Sequence, residues 1–194
     1  MAQLSFYSAD VNEPQLVDLG GILAAHGQVV VHGSSARLSI LVADRWRATA
    51  LQEECTVRGV AAKVIEVEGP APFLLQTEKE PQLAGLASAW TRGAVKSVPD
   101  GLIADPGLLR CWAISAGRTF SPGYILGLDP HAPDTHDGLS TACAKAGLAG
   151  SLIGVRGGGP GVRIVGHRRL VRLVEYLGQP PEGARDADFP VADY

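Results

Sequence analysis

Apolar residues along this chain switch between two spacings, and the whole pattern comes twice. Residues 13–25, rich in Leu, Gly and Ala, predict a first helix. Alternating apolar positions in 28–32 and 36–42 predict two strands around Gly33-Ser34. Residues 45–58 place Ala48, Leu51 and Cys55 on one helical face, with Asp44 as the N-cap and Gly59 just past the end. Two more strands are predicted at 62–67 and 73–76, around Gly69-Pro70. A helix after Pro81 then aligns Leu83, Leu86, Ala87 and Trp90.

The same order follows again. Asp105-Pro106 opens a helix that runs through Ala116. A short, weakly marked strand at 118–122 and a clearer one at 124–128 lead to a helix from Asp134, with Leu139, Ala142, Cys143 and Ala146 inward and Gly147 closing it. Residues 151–155 and 162–165 predict a hairpin, and a last helix turns Leu170, Val171, Val174 and Leu177 inward. Gly27 and Gly117 are 90 residues apart, and Gly59 and Gly147 are 88 apart. The pattern predicts an α+β fold, a pseudo-twofold αββαββα duplication with antiparallel sheets and helices on one side. The halves run from about 13 to 92 and from 105 to 178, within one domain spanning 1–178. A Pro-containing acidic tail at 179–194 is expected to be extended and dispensable for folding, with Phe189 and Tyr194 as the residues able to anchor it to a groove or a partner instead.

Composition narrows the class. The 194 residues are 46 % apolar and 19 % charged, which suits one well-buried core and excludes disorder. No apolar run approaches the ~18 residues of a membrane span, and the N-terminus lacks a signal-peptide pattern, so a cytoplasmic protein without membrane contact is expected. A net charge of −3 disfavours strong non-specific nucleic-acid binding but permits a local basic patch.

Familiar chemistry is sparse. Cys55, Cys111 and Cys143 lack the paired spacing of a metal site and read as buried inert thiols. His131 and His136 lie among Asp129, Asp134 and Asp137, but Pro130 and Pro133 mark that stretch as a turn into a helix. Gly157-Gly158-Gly159-Pro160-Gly161 looks like a phosphate loop. No Lys-Ser/Thr or helix follows it, so it reads as a hairpin turn. No cofactor and no metal is expected.

Two phrases carry a family resemblance: Leu108-Leu109-Arg110-Cys111-Trp112-Ala113-Ile114-Ser115-Ala116-Gly117, and Arg163-Ile164-Val165-Gly166-His167-Arg168-Arg169-Leu170. With the small-residue helix ending at Ala25-His26-Gly27, they resemble the two-repeat LAGLIDADG homing-endonuclease fold over roughly residues 13–178. The likeness is greatest to the degenerate version in the N-terminal part of the WhiA regulators of sporulation and cell division in Gram-positive bacteria. The resemblance implies that residues 16–25 and 108–116 pack together at the centre. It also implies an acid before the final glycine of each motif in active members, where the carboxylates hold divalent metal ions at the scissile phosphates. This sequence has His26 and Ala116 there, a poor magnesium ligand and none at all. Asp18 and Asp105 lie at the opposite helix ends. The expectation is a protein that is not an enzyme.

The resemblance further implies that the sheets meet duplex DNA in its major groove, which accommodates a two-stranded ribbon. Between Cys143 and Gly178 there are six basic residues and one acid. Arg156 and Arg163 are expected on the two strands of the glycine hairpin, as principal contacts, with Arg168 and Arg169 nearby and Arg37 and Lys63 giving sparser charge in the first half. WhiA proteins carry a helix-turn-helix domain after this part, whereas an acidic stretch follows Gly178 here. Weak DNA binding beside another transcription regulator is therefore expected. The alternative is a protein-interaction module or adaptor that has lost both nuclease activity and DNA binding.

Overall fold

A computed structural model describes residues 12–190 of the chain. The predicted duplication is present in full. In the first half, a 3-10 turn (Leu16–Leu19) runs into helix α1 (Gly20–Ala24), then strands β1 (Gln28–His32) and β2 (Ser35–Val42), helix α2 (Arg45–Val57), strands β3 (Ala62–Glu66) and β4 (Phe73–Thr77), and helix α3 (Leu83–Trp90). A small hairpin, β5 (Thr91–Arg92) and β6 (Val95–Lys96), joins the halves. The second half repeats the order with α4 (Pro106–Ala116), β7 (Gly117–Phe120), β8 (Gly123–Gly127), α5 (His136–Lys145), β9 (Ser151–Ile153), β10 (Gly161–Val165) and α6 (His167–Leu177). The sheets have matching strand orders, β1-β2-β4-β3 and β7-β8-β10-β9, and every neighbour is antiparallel.

Local chemistry explains the element ends. Asp105 accepts the Leu108 amide at 2.8 Å, and Pro106 occupies the first helical position of α4, where its missing N–H costs nothing. Gly33, at φ +64°, closes the two-residue turn between β1 and β2. The helix expected over residues 13–25 is split into a 3-10 turn and a short α-helix. Asp44 precedes α2 as expected but makes no side-chain cap; its carboxylate turns to Arg47 and Arg185 instead.

α1 and α4 form the seam between the halves, as the resemblance implies. A methyl group on Gly21 would lie 2.6 Å from the Trp112 amide nitrogen and 2.8 Å from the Cys111 Cβ, so only glycine permits this approach. Leu19, Ile22, Leu23, Leu109, Trp112 and Ile114 are fully buried around the seam, and Trp112 donates its indole N–H to the Gly127 carbonyl at 2.7 Å. Cys55, Cys111 and Cys143 are buried free thiols, and burial pushes Cys55 and Cys143 up to about 12.

The far end of the seam holds a buried ionic chain. Arg58 bonds Asp18 at 2.9 Å and Glu54 at 2.6 Å, and Glu54 accepts from Arg110 at 2.7 Å. Asp18 belongs to this ionic chain and Asp105 caps α4 at the same end, so both acids hold helix starts.

The segment after Gly178 corrects an expectation. Its described part is not a free tail. The Thr119 amide donates to the Ala187 carbonyl at 2.9 Å along the outer edge of β7, and the Tyr124 hydroxyl donates to the Asp188 carbonyl at 3.0 Å. Phe189 is 1 % exposed. Its aromatic ring supplies apolar area to the core and the backbone covers an open sheet edge, which outweighs the acidic composition. Tyr194, the other aromatic of that stretch, lies outside the described residues.

Candidate nucleic-acid interface

Each strand turns alternate side chains toward the helices. In the first sheet Ala36, Leu38, Ile40, Val42, Leu75 and Thr77 are buried against them; in the second, Tyr124, Leu126, Val162 and Ile164. The residues between face away from the helix layer. Strand register then sets these outward side chains in rows. One row runs Gln28–Ser39–Gln76–Lys63 across β1, β2, β4 and β3. Its counterpart runs Arg118–Ile125–Arg163–Ser151 across β7, β8, β10 and β9. Polar or basic side chains hold seven of these eight positions.

Three of the residues expected at an interface lie on these open faces. Lys63 ends the first row, with Glu78 3.8 Å away, and Arg37 stands one row further along, opposite Val30. Arg163 is exposed, with its guanidinium 5.9 Å from the Phe120 ring centre. The other three lie elsewhere. Arg156 is not on a strand; it sits in a 3-10 turn (Val155–Gly157) within the loop, because β9 ends at Ile153. The residue that pairs with Arg163 is Ser151. Arg168 and Arg169 project from the first turn of α6, the helix that packs on the core through Leu173 and Leu177, so they belong to the helix layer.

Gln76 and Arg118 carry no mark in the sequence that singles them out. Gln76 sits in a short apolar strand whose facing only the register reveals. Arg118 lies in the weakly marked strand β7, and it donates to the Gly158 carbonyl. That hydrogen bond holds the glycine loop beside β7. Ile125, although outward, is only 4 % exposed between the two arginines.

A cleft of about 460 Å³ lies between the halves where the seam helices end, lined by His26, Asp44, Arg47, Ala116, Arg118 and Asp188 among others. The His26 ring nitrogen Nε2 is 2.7 Å from the Leu41 carbonyl oxygen. Ala116 offers no donor. Cations of the chain cap both helix ends. Arg47, almost fully buried, donates to the carbonyls of Ala113, Ile114 and Gly117 at 3.2, 2.8 and 2.7 Å, with Asp44 and Asp188 3.5 and 3.4 Å away. Lys96 donates to the Ala25 carbonyl at 3.1 Å and to Asp129 at 2.6 Å. A positive charge at a helix C-terminus is stabilised by the unpaired carbonyls there.

Divalent cations do not fit this arrangement. The nearby carboxylates Asp44, Asp129 and Asp188 are already paired with Arg47, Arg185 or Lys96, and those bases would repel a metal ion. Among the described residues, no three His, Cys, Asp or Glu side chains converge as metal ligands. The cluster of His131, His136 and the neighbouring aspartates resolves into local bonds: His136 Nε2 lies 2.8 Å from the Asp129 backbone carbonyl oxygen, and the His131 amide donates to the Asp129 carboxylate at 2.9 Å.

No family model matches the chain, and no curated protein matches it in sequence. Among solved structures, it is similar to the crystal structure of I-DmoI, a LAGLIDADG homing endonuclease, in complex with DNA and Mn. That match has a TM-score of 0.50 at 12 % identity and covers 84 % of this chain and 96 % of that one. The chain therefore has a LAGLIDADG-like fold. No helix among the described residues is long and apolar enough to cross a membrane.

Proposed function

We propose that this chain is a non-catalytic domain that binds duplex DNA, acting in the cytoplasm in transcription regulation of the WhiA type. The observation that carries the reading is the pair of equivalent rows on the open sheet faces. Side chains able to meet phosphates and base edges stand side by side on the surface that the helices leave uncovered. Strands about 4.8 Å apart present them on a ribbon of a width that the major groove admits. The loss of catalysis rests on the seam ends, where Lys96 and Arg47 hold the carbonyls beside which an active relative would place metal-binding carboxylates. The regulatory role is supported by the seam and α6 phrases that resemble WhiA.

A mobility-shift assay with random-sequence duplex at two salt concentrations, repeated with magnesium and manganese, tests both parts. The expected result is a weak shift that fades with salt, and no nicking. Metal-dependent nicking abolished by His26→Ala would defeat the non-catalytic reading. Absence of any shift at low salt would instead favour a protein-interaction module. The apolar row Leu41–Leu74–Ile65 across β2, β4 and β3 on the first open face suits that second reading, since a contiguous apolar surface marks partner contacts.

A further inference from the structure

Register makes Gln76 and Arg163 equivalent positions. Gln76 is the partner of Ser39 on the strand that follows Gln28, and Arg163 is the partner of Ile125 on the strand that follows Arg118. Each occupies the third strand of its sheet on the open face. Gln76 makes no side-chain bond among the described residues. The Arg163 guanidinium meets no acid there, and its neighbour is the Phe120 ring. Their flanking partners are more committed: Gln28 donates to Asp129 at 3.2 Å, and Arg118 donates to Gly158.

The two side chains have different recognition chemistry. A guanidinium donates two parallel hydrogen bonds and matches guanine O6 and N7, whereas a carboxamide donates and accepts and matches adenine N6 and N7. The charge around them differs in the same sense. Acids stand near the first sheet, with Glu78 beside Lys63 and Glu66 beside Arg45, whereas the strands of the second sheet contain none. The second sheet thus offers one uncommitted arginine, Arg163, with no acid on its strands, and the first an uncommitted amide, Gln76.

On the basis of the duplex-binding reading, we infer that the two halves read different bases: Arg163 a guanine under the second sheet and Gln76 an adenine under the first. The bound site is then non-palindromic, although the fold is nearly twofold. Specificity resides in this one exchanged pair, and the exchange should be reversible by mutation.

Selection of bound sequences from a randomised duplex pool, by the wild-type chain and by Gln76→Arg and Arg163→Gln, tests this. Thermal melting of each variant checks folding; both side chains are on the open face, so folding should be retained. The wild type should enrich a site with guanine in one half and adenine in the other. Gln76→Arg should convert the adenine preference to guanine, and Arg163→Gln the guanine preference to adenine. Each exchange should shift the base ratio at its own position by roughly tenfold, as expected for one bidentate pair. A palindromic site, or swaps that leave preferences unchanged, would overturn the inference. Duplex binding without sequence preference would overturn it while leaving the DNA-binding reading intact. Failure of the wild type to retain any duplex at low salt would defeat both.

Discussion

The Lys96 ammonium lies 2.6 Å from the Asp129 carboxylate, with side chains only 8 % and 1 % exposed. Lys96 belongs to the hairpin between the halves and Asp129 follows the second half's second strand, so this pair ties the joint to the second half. Lys96 also reaches back to the Ala25 carbonyl, at the end of α1. Removing one partner leaves a buried charge without compensation. Asp129→Ala is expected to cost about 3 kcal/mol in chemical denaturation. A loss below about 1 kcal/mol would mean that the pair is solvated, as surface pairs are.

The same carboxylate makes stability depend on acid. Burial pushes the Asp129 carboxyl up, but the Lys96 hydrogen bond, the His131 amide and the nearby positive charges outweigh it and hold it below its ordinary value. A carboxyl lowered on folding contributes stability above its unfolded pKa of about 4, and that contribution fades as pH falls through the lower folded value. Melting temperatures of the wild type should therefore drop below about pH 4. Asp129→Asn, starting from a lower plateau, should lose less over the same interval; parallel curves would assign the acid sensitivity to other groups.

Gly21 carries the seam. A Cβ there would enter the α4 backbone at Leu108 and Trp112, so neither helix can yield without moving its half. Gly21→Ala should destabilise the chain by about 2–3 kcal/mol, the usual range for an overpacked core, despite alanine's better helix propensity. Gly85→Ala in α3, with open space around the added methyl, provides the control and should be neutral or slightly stabilising. Equal melting temperatures for the two variants would contradict the close approach.

Much of this fold is legible in the sequence because duplication leaves marks in glycines and apolar periods. Gly27 and Gly117 follow the seam helices, where a Cβ would strike the Ile22 carbonyl or the Tyr124 hydroxyl, and Gly59 and Gly147 end the next ones with the left-handed φ that glycine favours. The open faces are less legible. A one-residue change of register reverses a strand, so Gln76 and Arg118 look no different from inward residues, and alternation alone carries Arg156 onto a strand that stops three residues before it. Long-range capping leaves no local mark at all. Arg47 sits in a helix whose apolar period is satisfied without it, and Lys96 in a stretch that reads as a plain joint.

Phe189 shows the same limit for the C-terminal stretch. Acidic and proline-rich surroundings point to a solvated tail, yet its ring is buried and Arg110 approaches it at 6.0 Å. Phe189→Ala should cost roughly 3–5 kcal/mol, as for a core aromatic. Stopping the chain after Gly178 should lower the melting temperature by at least as much as the point change, since the bonds to Thr119 and Tyr124 go with it. An unchanged melt for the shortened chain would restore the dispensable tail.

The basic residues of the second half divide by layer, and the division predicts their effect on DNA. Arg163 stands on the open face, whereas Arg168 and Arg169 rise from α6 on the helix side, and Arg169 already donates to the Val165 carbonyl at 3.2 Å. If duplex meets the sheets, Arg163→Ala should weaken binding about tenfold at its cognate site, the scale of a single bidentate pairing with a base edge. Arg168→Ala with Arg169→Ala removes two positive charges that touch no phosphate in this arrangement. That double change should leave the slope of log affinity against log salt within one unit of the wild type, because each phosphate no longer neutralised lowers the slope by about one. The opposite ranking, with the α6 pair dominant and Arg163 silent, would move the interface to the helix layer. It would then be α6 and its arginines, and not the paired rows, that face the nucleic acid.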